Sequence, residues 1–221
     1  RITEERRKKA SSKTKKQVDD ESKLAEQMNR AVLLDTSVLI DGRIIYIAKA
    51  GFISGNLILL KSVVNELHTL ADSADDQKRQ KGKRGLDNIA KLKKIAKVLV
   101  PEIKATEGVV DTDLVTTAKK FNTQITTLDF NLNKVAKTMD ISVLNINELV
   151  EALKRVVVPG ELIQVTISVV GKEKDQGVGY LDDGTMVVVA GGAGLVGQQI
   201  GVKVTKVIQS PAGKMVFCRL T

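Results

Sequence analysis

Short apolar runs alternate with amphipathic segments from Ala31 to about residue 154. A short apolar run predicts a buried strand, and the runs are Val32–Leu34, Leu57–Leu60, Gln124–Leu128 and Ile141–Leu144. Apolar residues at helical spacing predict the helices Val38–Ala48, Val63–Leu70, Leu86–Leu99, Leu114–Phe121 and Ile146–Leu153. Strands that alternate with helices favour a parallel sheet covered on both faces. The predicted fold class of residues 31–154 is therefore α/β, with three layers in the order α/β/α.

After Val158-Pro159-Gly160 the pattern changes to alternating apolar and polar positions. It predicts strands with a hairpin turn at Asp183-Gly184. The predicted strands are Leu162–Val170, Gly177–Leu181, Met186–Val189, Val202–Ile208 and Met215–Leu220. Short strands joined by glycine-rich turns are typical of a small all-β barrel of the oligonucleotide-binding (OB) type. We expect this barrel over residues 156–221, with the domain boundary near Arg155–Pro159 and its only aromatic residues, Tyr180 and Phe217, in the core more than on a base-stacking surface.

Residues 1–30 carry many charged side chains and few apolar ones, so we interpret them as a basic flexible arm or a solvated helix. No run approaches the roughly 20 consecutive apolar residues that a membrane-spanning helix needs. The only cysteine, Cys218, is expected in the barrel core, and the only histidine, His68, in a structural or exposed position. One residue of each type excludes a disulfide framework and a cysteine/histidine zinc site within one chain. A metal must then be held by oxygen atoms, which favours magnesium or manganese.

The net charge of +9 indicates a polyanionic partner, either nucleic acid or an anionic lipid surface. One stretch concentrates basic side chains and contains a single acid, Asp87. Its basic residues are Lys78, Arg79, Lys81, Lys83, Arg84, Lys91, Lys93, Lys94 and Lys97. This stretch predicts a phosphate-binding stripe, while a solvated helix face remains the alternative.

Four acids occupy positions where sites form in parallel sheets. Asp35 directly follows the first predicted strand, and Asp129 follows the third. Ligands bind beyond the carboxyl ends of parallel strands, so the two side chains are expected to converge on one crevice. Glu66, on the helix after the second strand, and Asp111, near a helix start at Thr112, can join them.

A cluster of like charges is self-repelling unless a cation neutralises it. One or two divalent ions in such a cluster would orient a water, lower its pKa and neutralise charge on a phosphodiester, so the chemistry indicated is hydrolysis of nucleic acid. Each acid also has a simpler interpretation. Asp35, Asp111 and Asp129 are typical helix N-caps, and Glu66 can be an ordinary surface residue.

At this point the residues resemble a known family. Val32-Leu33-Leu34-Asp35-Thr36-Ser37-Val38-Leu39-Ile40, Asn65-Glu66-Leu67, Asp111 ahead of Ala118, and Thr126-Thr127-Leu128-Asp129 are similar, in this order, to the motifs of PIN domain nucleases. The segment Gly177-Val178-Gly179-Tyr180-Leu181-Asp182-Asp183-Gly184-Thr185-Met186-Val187-Val188-Val189 is similar to a TRAM domain. The pair, with Asp41-Gly42-Arg43 and Arg84-Gly85-Leu86-Asp87, resembles the bacterial PIN/TRAM proteins of the YacL type.

The resemblance implies that the chain is an endoribonuclease in which Asp35, Glu66, Asp111 and Asp129 bind Mg²⁺ or Mn²⁺ and catalyse the reaction. The implied substrate is single-stranded RNA, and single-stranded DNA is less favoured. Asp113 competes with Asp111, and the spacing of Asp111 to Ala118 favours Asp111. The residues expected to support the metal ligands are Ser37, Asp41 and Thr127. The residues expected to bind nucleic acid are Arg43, Lys78, Arg79, Lys81, Lys83 and Arg84.

The resemblance also carries expectations about partners and location. The TRAM barrel is expected to assist RNA binding, and self-association as a dimer or larger ring is expected from PIN domains in general. A membrane-anchoring region can precede Arg1, which would place this cytoplasmic part at the cytoplasmic face of a membrane. The rival interpretation is a non-catalytic, RNA- or nucleotide-binding regulatory domain of a membrane protein. A toxin-type nuclease is disfavoured because such proteins rarely carry a C-terminal barrel.

Overall fold

The computed structural model describes residues 21–103, 108–210 and 213–221. They form two compact units, one up to Leu149 and the other Val150–Thr221. Most of the predicted arm, residues 1–20, lies outside the described residues, whereas residues 21–28 are helical and Met28 is buried in the core of the first unit. Within the described ranges, no helix combines the length and the apolar character needed to cross a bilayer.

A five-stranded sheet in the order β3-β2-β1-β4-β5 forms the centre of the first unit. Its strands are β1 (Val32–Leu34), β2 (Leu57–Ile58), β3 (Val98–Leu99), β4 (Gln124–Thr127) and β5 (Val143–Asn145). All paired strands run parallel. The side chains of β1 are buried on both faces, as expected for the central strand of a helix-covered parallel sheet. The predicted α/β/α class is confirmed.

The helices after β1 are α1 (Thr36–Asp41), α2 (Arg43–Lys49), α3 (Lys61–Ala71), α4 (Asp76–Leu92), α5 (Val110–Phe121), α6 (Phe130–Thr138) and α7 (Ile146–Leu153), and α7 extends past Leu149 into the second unit. The single helix predicted over Val38–Ala48 is wrong. Gly42 adopts φ +86°, a left-handed conformation that ends α1. The helix predicted over Leu86–Leu99 is also misplaced, because α4 begins ahead of it and Val98–Leu99 forms the edge strand β3.

Helix α4 packs closely on α3 through two glycines. A Cβ atom at Gly82 would lie 2.7 Å from the carbonyl oxygen of Leu67 and closer still to the backbone of Ala71. A Cβ atom at Gly85 would collide with the Leu67 side chain. The buried Asn88 amide donates a hydrogen bond to the Leu39 carbonyl oxygen at 2.8 Å, which joins α4 to α1. Helix α4 thus holds together the two helices that follow β1 and β2.

The second unit is a closed five-stranded barrel in the order β10-β8-β7-β6-β9. Its strands are β6 (Leu162–Val170), β7 (Gln176–Tyr180), β8 (Met186–Ala190), β9 (Gln199–Ser210) and β10 (Gly213–Leu220). Alternate residues of β6, including Val165 and Ile167, point into the core. Cys218 is buried there, and burial raises the pKa of its thiol to about 11. The predicted OB-like barrel is confirmed.

Tyr180 differs from the expectation, because it is half exposed and not in the barrel core. The inward-facing positions of β7 are Gly177 and Gly179. A Cβ atom at Gly177 would lie 2.8 Å from Ile167 Cγ2, and one at Gly179 would lie 2.6 Å from Val165 Cγ2. The close approach of β6 therefore requires glycine on the inside of β7 and leaves Tyr180 on the outside.

Candidate functional site

Asp35 lies at the end of β1 and is buried. Its Oδ1 atom accepts a hydrogen bond from the Thr36 N–H at 2.7 Å, so the side chain caps α1. Its Oδ2 atom accepts hydrogen bonds from the hydroxyl groups of Ser37 and Thr127, the latter at 2.7 Å. Asp35 can therefore cap α1 and take part in a site with the same side chain. These bonds hold the carboxylate in one orientation at the carboxyl edge of the sheet.

Asp129 follows the neighbouring strand β4 and caps α6. Its Oδ1 atom accepts hydrogen bonds from the N–H groups of Asn131 at 2.7 Å and Leu132 at 2.9 Å. The Asp129 N–H donates to the Thr127 hydroxyl at 2.9 Å, and that hydroxyl in turn donates to Asp35. Because β1 pairs with β4 in parallel, the segments that carry Asp35 and Asp129 leave the sheet side by side.

Glu66 and Asp111 come from α3 and α5. The Thr36 hydroxyl donates to Glu66 Oε2 at 2.5 Å, which brings the Glu66 carboxylate to the start of α1. Asp111 lies in the first turn of α5, where Val109 and not Asp111 is the N-cap residue. Partial burial raises the pKa of Asp111, although much of its side chain stays exposed to solvent, and the negative charges of Asp35, Asp129 and Glu66 raise it further. All four acids therefore act on one region of the molecule.

The competing acid, Asp113, is buried in the same turn of α5, whereas Asp111 is exposed. Two positions along a helix differ by about 200° around its axis, so the two side chains leave α5 in nearly opposite directions. The charges of the other three acids raise the pKa of Asp111, as expected if its side chain points toward them. This geometry supports the choice of Asp111 over Asp113.

The acids form a group of like charges and not a closed coordination shell. In the described residues, no three Asp, Glu, His or Cys side chains stand close enough together to hold one metal ion. The donor chemistry nevertheless fits a hard divalent cation, because all the side chains that act on Asp111 are carboxylates. Three of the carboxylates, those of Glu66, Asp111 and Asp129, are exposed and belong to separate elements.

The three residues expected to support the acids fall into two groups. Ser37 and Thr127 both contact Asp35, and the Ser37 hydroxyl also accepts a hydrogen bond from the Leu128 N–H at 3.0 Å. Asp41 instead forms an ion pair with Arg43, with Nε and Oδ1 2.7 Å apart. Burial alone would raise the pKa of Asp41, but hydrogen bonds from Arg43 and the charges of Arg43 and Arg84 lower it overall.

The basic residues of the predicted stripe within α4 lie on different faces of this helix. A groove of about 600 Å³ is lined by Ser37, Ile40, Asp41, Gln77, Gln80, Lys81 and Arg84. Lys81 and Arg84 therefore share a groove with Ser37, which contacts Asp35. Lys78 and Lys83 are exposed elsewhere on α4. Arg79 binds Asp76 and the Ser73 carbonyl oxygen, and Arg43 donates to Asp41 and Asn147.

Comparison with known proteins found relatives that share most of this sequence. No family model matches the chain. The chain is 44% identical over 213 residues to the PIN and TRAM-domain containing protein YacL of Bacillus subtilis, a match that covers 94% of this chain and 57% of the relative. A PIN and TRAM-domain containing protein of Synechocystis is 40% identical over 190 residues, covering 85% of this chain and 53% of the relative. Over most of its length the chain is therefore similar to proteins that are named for a PIN and a TRAM domain, of the YacL type.

A third PIN and TRAM-domain protein, from Thermus thermophilus, is 40% identical over 187 residues, which are 85% of this chain and 56% of that protein. The chain thus spans just over half the length of these relatives. PIN domains are typically nucleases that use divalent metal ions. All three relatives are described as uncharacterized, so their names add no reaction or substrate.

Proposed function

We propose that this PIN/TRAM chain is a Mg²⁺- or Mn²⁺-dependent ribonuclease that hydrolyses phosphodiester bonds of single-stranded RNA. The observation that carries the proposal is geometric. Asp35 and Asp129 follow neighbouring parallel strands, the Thr36 hydroxyl beside Asp35 donates to Glu66, and Glu66 and Asp111 line one pocket. The carboxyl edge of a parallel sheet, which Asp35 and Asp129 follow, is the usual location of ligand sites in this architecture and supports a site there. The family relationship to PIN proteins supports the same reaction class.

Each acid has a part that follows from its contacts. Asp35, held by Thr36, Ser37 and Thr127, supplies the fixed oxygen atoms of the site. Glu66 is oriented by the Thr36 hydroxyl. Asp129 is held by its cap, and the exposed Asp111 completes the set of four. A divalent cation bound by these four acids would lower the pKa of a water molecule and neutralise charge on the scissile phosphate.

The groove between α1 and α4 supports a path for the substrate strand. Lys81 and Arg84 line it together with Ser37, which contacts Asp35, so a phosphate bound in the groove would lie near Asp35. Arg84 donates one hydrogen bond to the Asp41 carbonyl oxygen at 2.7 Å, which orients its guanidinium group. Basic side chains of this kind bind the RNA backbone without reading the base sequence.

One observation favours a second candidate function, a regulatory domain that binds RNA or a nucleotide without cleaving it. In the described part of the chain, the acids do not form a ready group of three ligands for one ion. In that case the acids would be structural, and the basic groove and the barrel would provide the binding. Binding without turnover separates this candidate from the nuclease.

The proposal is tested by incubating end-labelled single-stranded RNA with the chain in Mg²⁺ or Mn²⁺. We expect fragments from the wild type, none after chelation, and at least about a hundredfold slower cleavage by Asp35→Asn and Asp111→Asn. Asp87→Asn is the matched control, because it removes one charge from an exposed position on α4. Internal fragments indicate an endonuclease, whereas stepwise shortening from one end indicates an exonuclease.

Equal cleavage by the wild type and both site variants would overturn the proposal, since the fragments would then come from elsewhere. Absence of fragments together with salt-sensitive RNA binding would favour the non-catalytic candidate.

The path of the strand is tested by the binding of RNA to Lys81→Ala and Lys83→Ala. We expect Lys81→Ala to reduce the dependence of log K on log salt by about 0.7, and Lys83→Ala to change it less.

A further inference from the structure

The barrel carries a small pocket that has no part in the proposed cleavage. Its volume is about 220 Å³, below the roughly 300–1,000 Å³ of pockets that enclose whole small molecules. The pocket is therefore suited to part of a ligand, such as one planar ring. Its lining comes from β6, β7, β9 and the turn after β7, and consists of Arg155, Gln164, Val165, Thr166, Tyr180, Leu181, Asp182, Asp183 and Gln199.

Tyr180 gives the pocket an aromatic surface. The ring is half exposed, although an aromatic side chain gains free energy by burial. Its position on the outer face of β7 follows from the glycines at the inner positions. Exposed aromatic rings on barrels of the OB type are the platforms on which nucleobases stack.

Polar groups with free hydrogen-bonding capacity surround the ring. Gln164 and Thr166 point outward from β6, and Gln199 lies opposite Thr166 on β9. Within the described ranges, the side chains of Gln164, Gln199 and Asp182 make no hydrogen bond to the protein. Amide and carboxylate groups of this kind can pair with the edge of a base.

The charges in the pocket disfavour a phosphate. Asp182 and Asp183 both line it, and carboxylates repel an anion. The one basic residue, Arg155, directs its guanidinium group to Glu161, with Nη2 and Oε1 2.5 Å apart. The backbone N–H of Arg155 donates to Asp183 at 2.7 Å, which occupies part of that carboxylate. Asp182 is the acceptor that remains available to a ligand.

We propose that this pocket binds one unpaired base of the RNA strand, with Tyr180 as the stacking platform and Gln164, Gln199 and Asp182 pairing with the base edge. A carboxylate accepts from the exocyclic amino group of cytosine, adenine or guanine, whereas uracil has no amino group and offers only its ring N3–H as a donor. We therefore expect the pocket to favour bases that carry an amino group. This inference rests on the proposed binding of RNA but not on its cleavage.

The experiment measures binding of labelled ten-nucleotide oligo(C), oligo(U) and an abasic backbone of equal length to the full chain, with a chelator present to prevent cleavage. We expect Tyr180→Ala to weaken oligo(C) binding about tenfold and to leave abasic binding unchanged. Tyr180→Phe should bind like the wild type, because the ring is kept. Tyr46→Ala is the matched control, since Tyr46 is an exposed tyrosine of α2. Asp182→Asn should remove the preference for oligo(C) over oligo(U).

Equal oligo(C) binding by the wild type and Tyr180→Ala would overturn this inference and leave the proposed nuclease untouched. Equal losses for oligo(C) and the abasic backbone would also overturn it, because the ring would then act on the backbone or on folding.

A second measurement follows tyrosine fluorescence and does not depend on a loss of affinity. The protein has two tyrosines and no tryptophan, so Tyr46→Phe leaves Tyr180 as the only tyrosine. We expect oligo(C), but not the abasic backbone, to quench its fluorescence.

Discussion

Asp35 shows how one residue can serve the fold and the site together. Its carboxylate caps α1 and accepts hydrogen bonds from two hydroxyl groups, so it is an integral part of the local structure. A substitution at Asp35 therefore changes stability as well as chemistry, because a buried acceptor is lost. Asp111 is exposed and caps no helix, so its substitution gives the cleaner test of the chemistry.

At the same scale, Thr36 is a positioning residue for Glu66. Replacing Thr36 by valine keeps the buried shape but removes the hydroxyl that donates to Glu66 Oε2. We expect Thr36→Val to lower the metal-dependent cleavage rate by a factor of about 10–100, the usual cost of losing a group that orients a metal ligand. Thr36→Ser, which retains the hydroxyl, should restore most of the rate. Unchanged cleavage by Thr36→Val would contradict this role.

The ion pair of Asp41 predicts a pH-dependent stability. The pKa of Asp41 is lowered in the fold, so its ionised form contributes stability above its ordinary pKa of 3.8, and this contribution is lost as pH falls through the lowered value. The pair is partly exposed, so we expect Asp41→Asn to lower the Tm by only about 2–3 °C at pH 7. Thermal unfolding near pH 3 should show a smaller difference. A difference that grows as pH falls would show that the assigned cause is wrong.

At the element scale, the positions of Asp35 and Asp129 were predictable, whereas the contact that orients Glu66 was not. The two aspartates follow apolar strands, and the edge they share is a general property of parallel sheets. The contact of Thr36 with Glu66 depends on how α3 packs near α1, and no local pattern encodes it.

The beginning of α4 was also not predicted from the sequence. Its first turns are almost entirely polar, and Asp75, not an apolar residue, marks the start by capping the helix.

The close contact of α4 with α3 predicts a large effect of a small substitution. In an exposed helix, glycine-to-alanine replacement is usually stabilising. At Gly82 the new Cβ would meet the backbone of α3, so we expect Gly82→Ala to cost about 1–3 kcal/mol and to lower the Tm by several degrees. Gly194→Ala is the control, because a Cβ atom there has nothing within 4 Å. Equal Tm values for the two variants would contradict the close packing.

At the scale of the whole molecule, the two kinds of periodicity predicted the two architectures. Helical spacing between buried runs indicated the parallel sheet, and alternation after Pro159 indicated the barrel. Helix α6 was not predicted from the sequence. Tyr180 was expected in the core, but glycines occupy the inner positions of β7, so the aromatic side chain lies on the outside.

The central claim is that acids from four elements form one site for divalent cations. The most direct test is calorimetric titration of Mn²⁺ into the chelator-treated and dialysed chain, for the wild type, Asp111→Asn and the control Asp87→Asn. We predict binding by the wild type and the control, and affinity about tenfold or more weaker in Asp111→Asn. Equal affinity in all three proteins, or no binding by the wild type, would contradict the account.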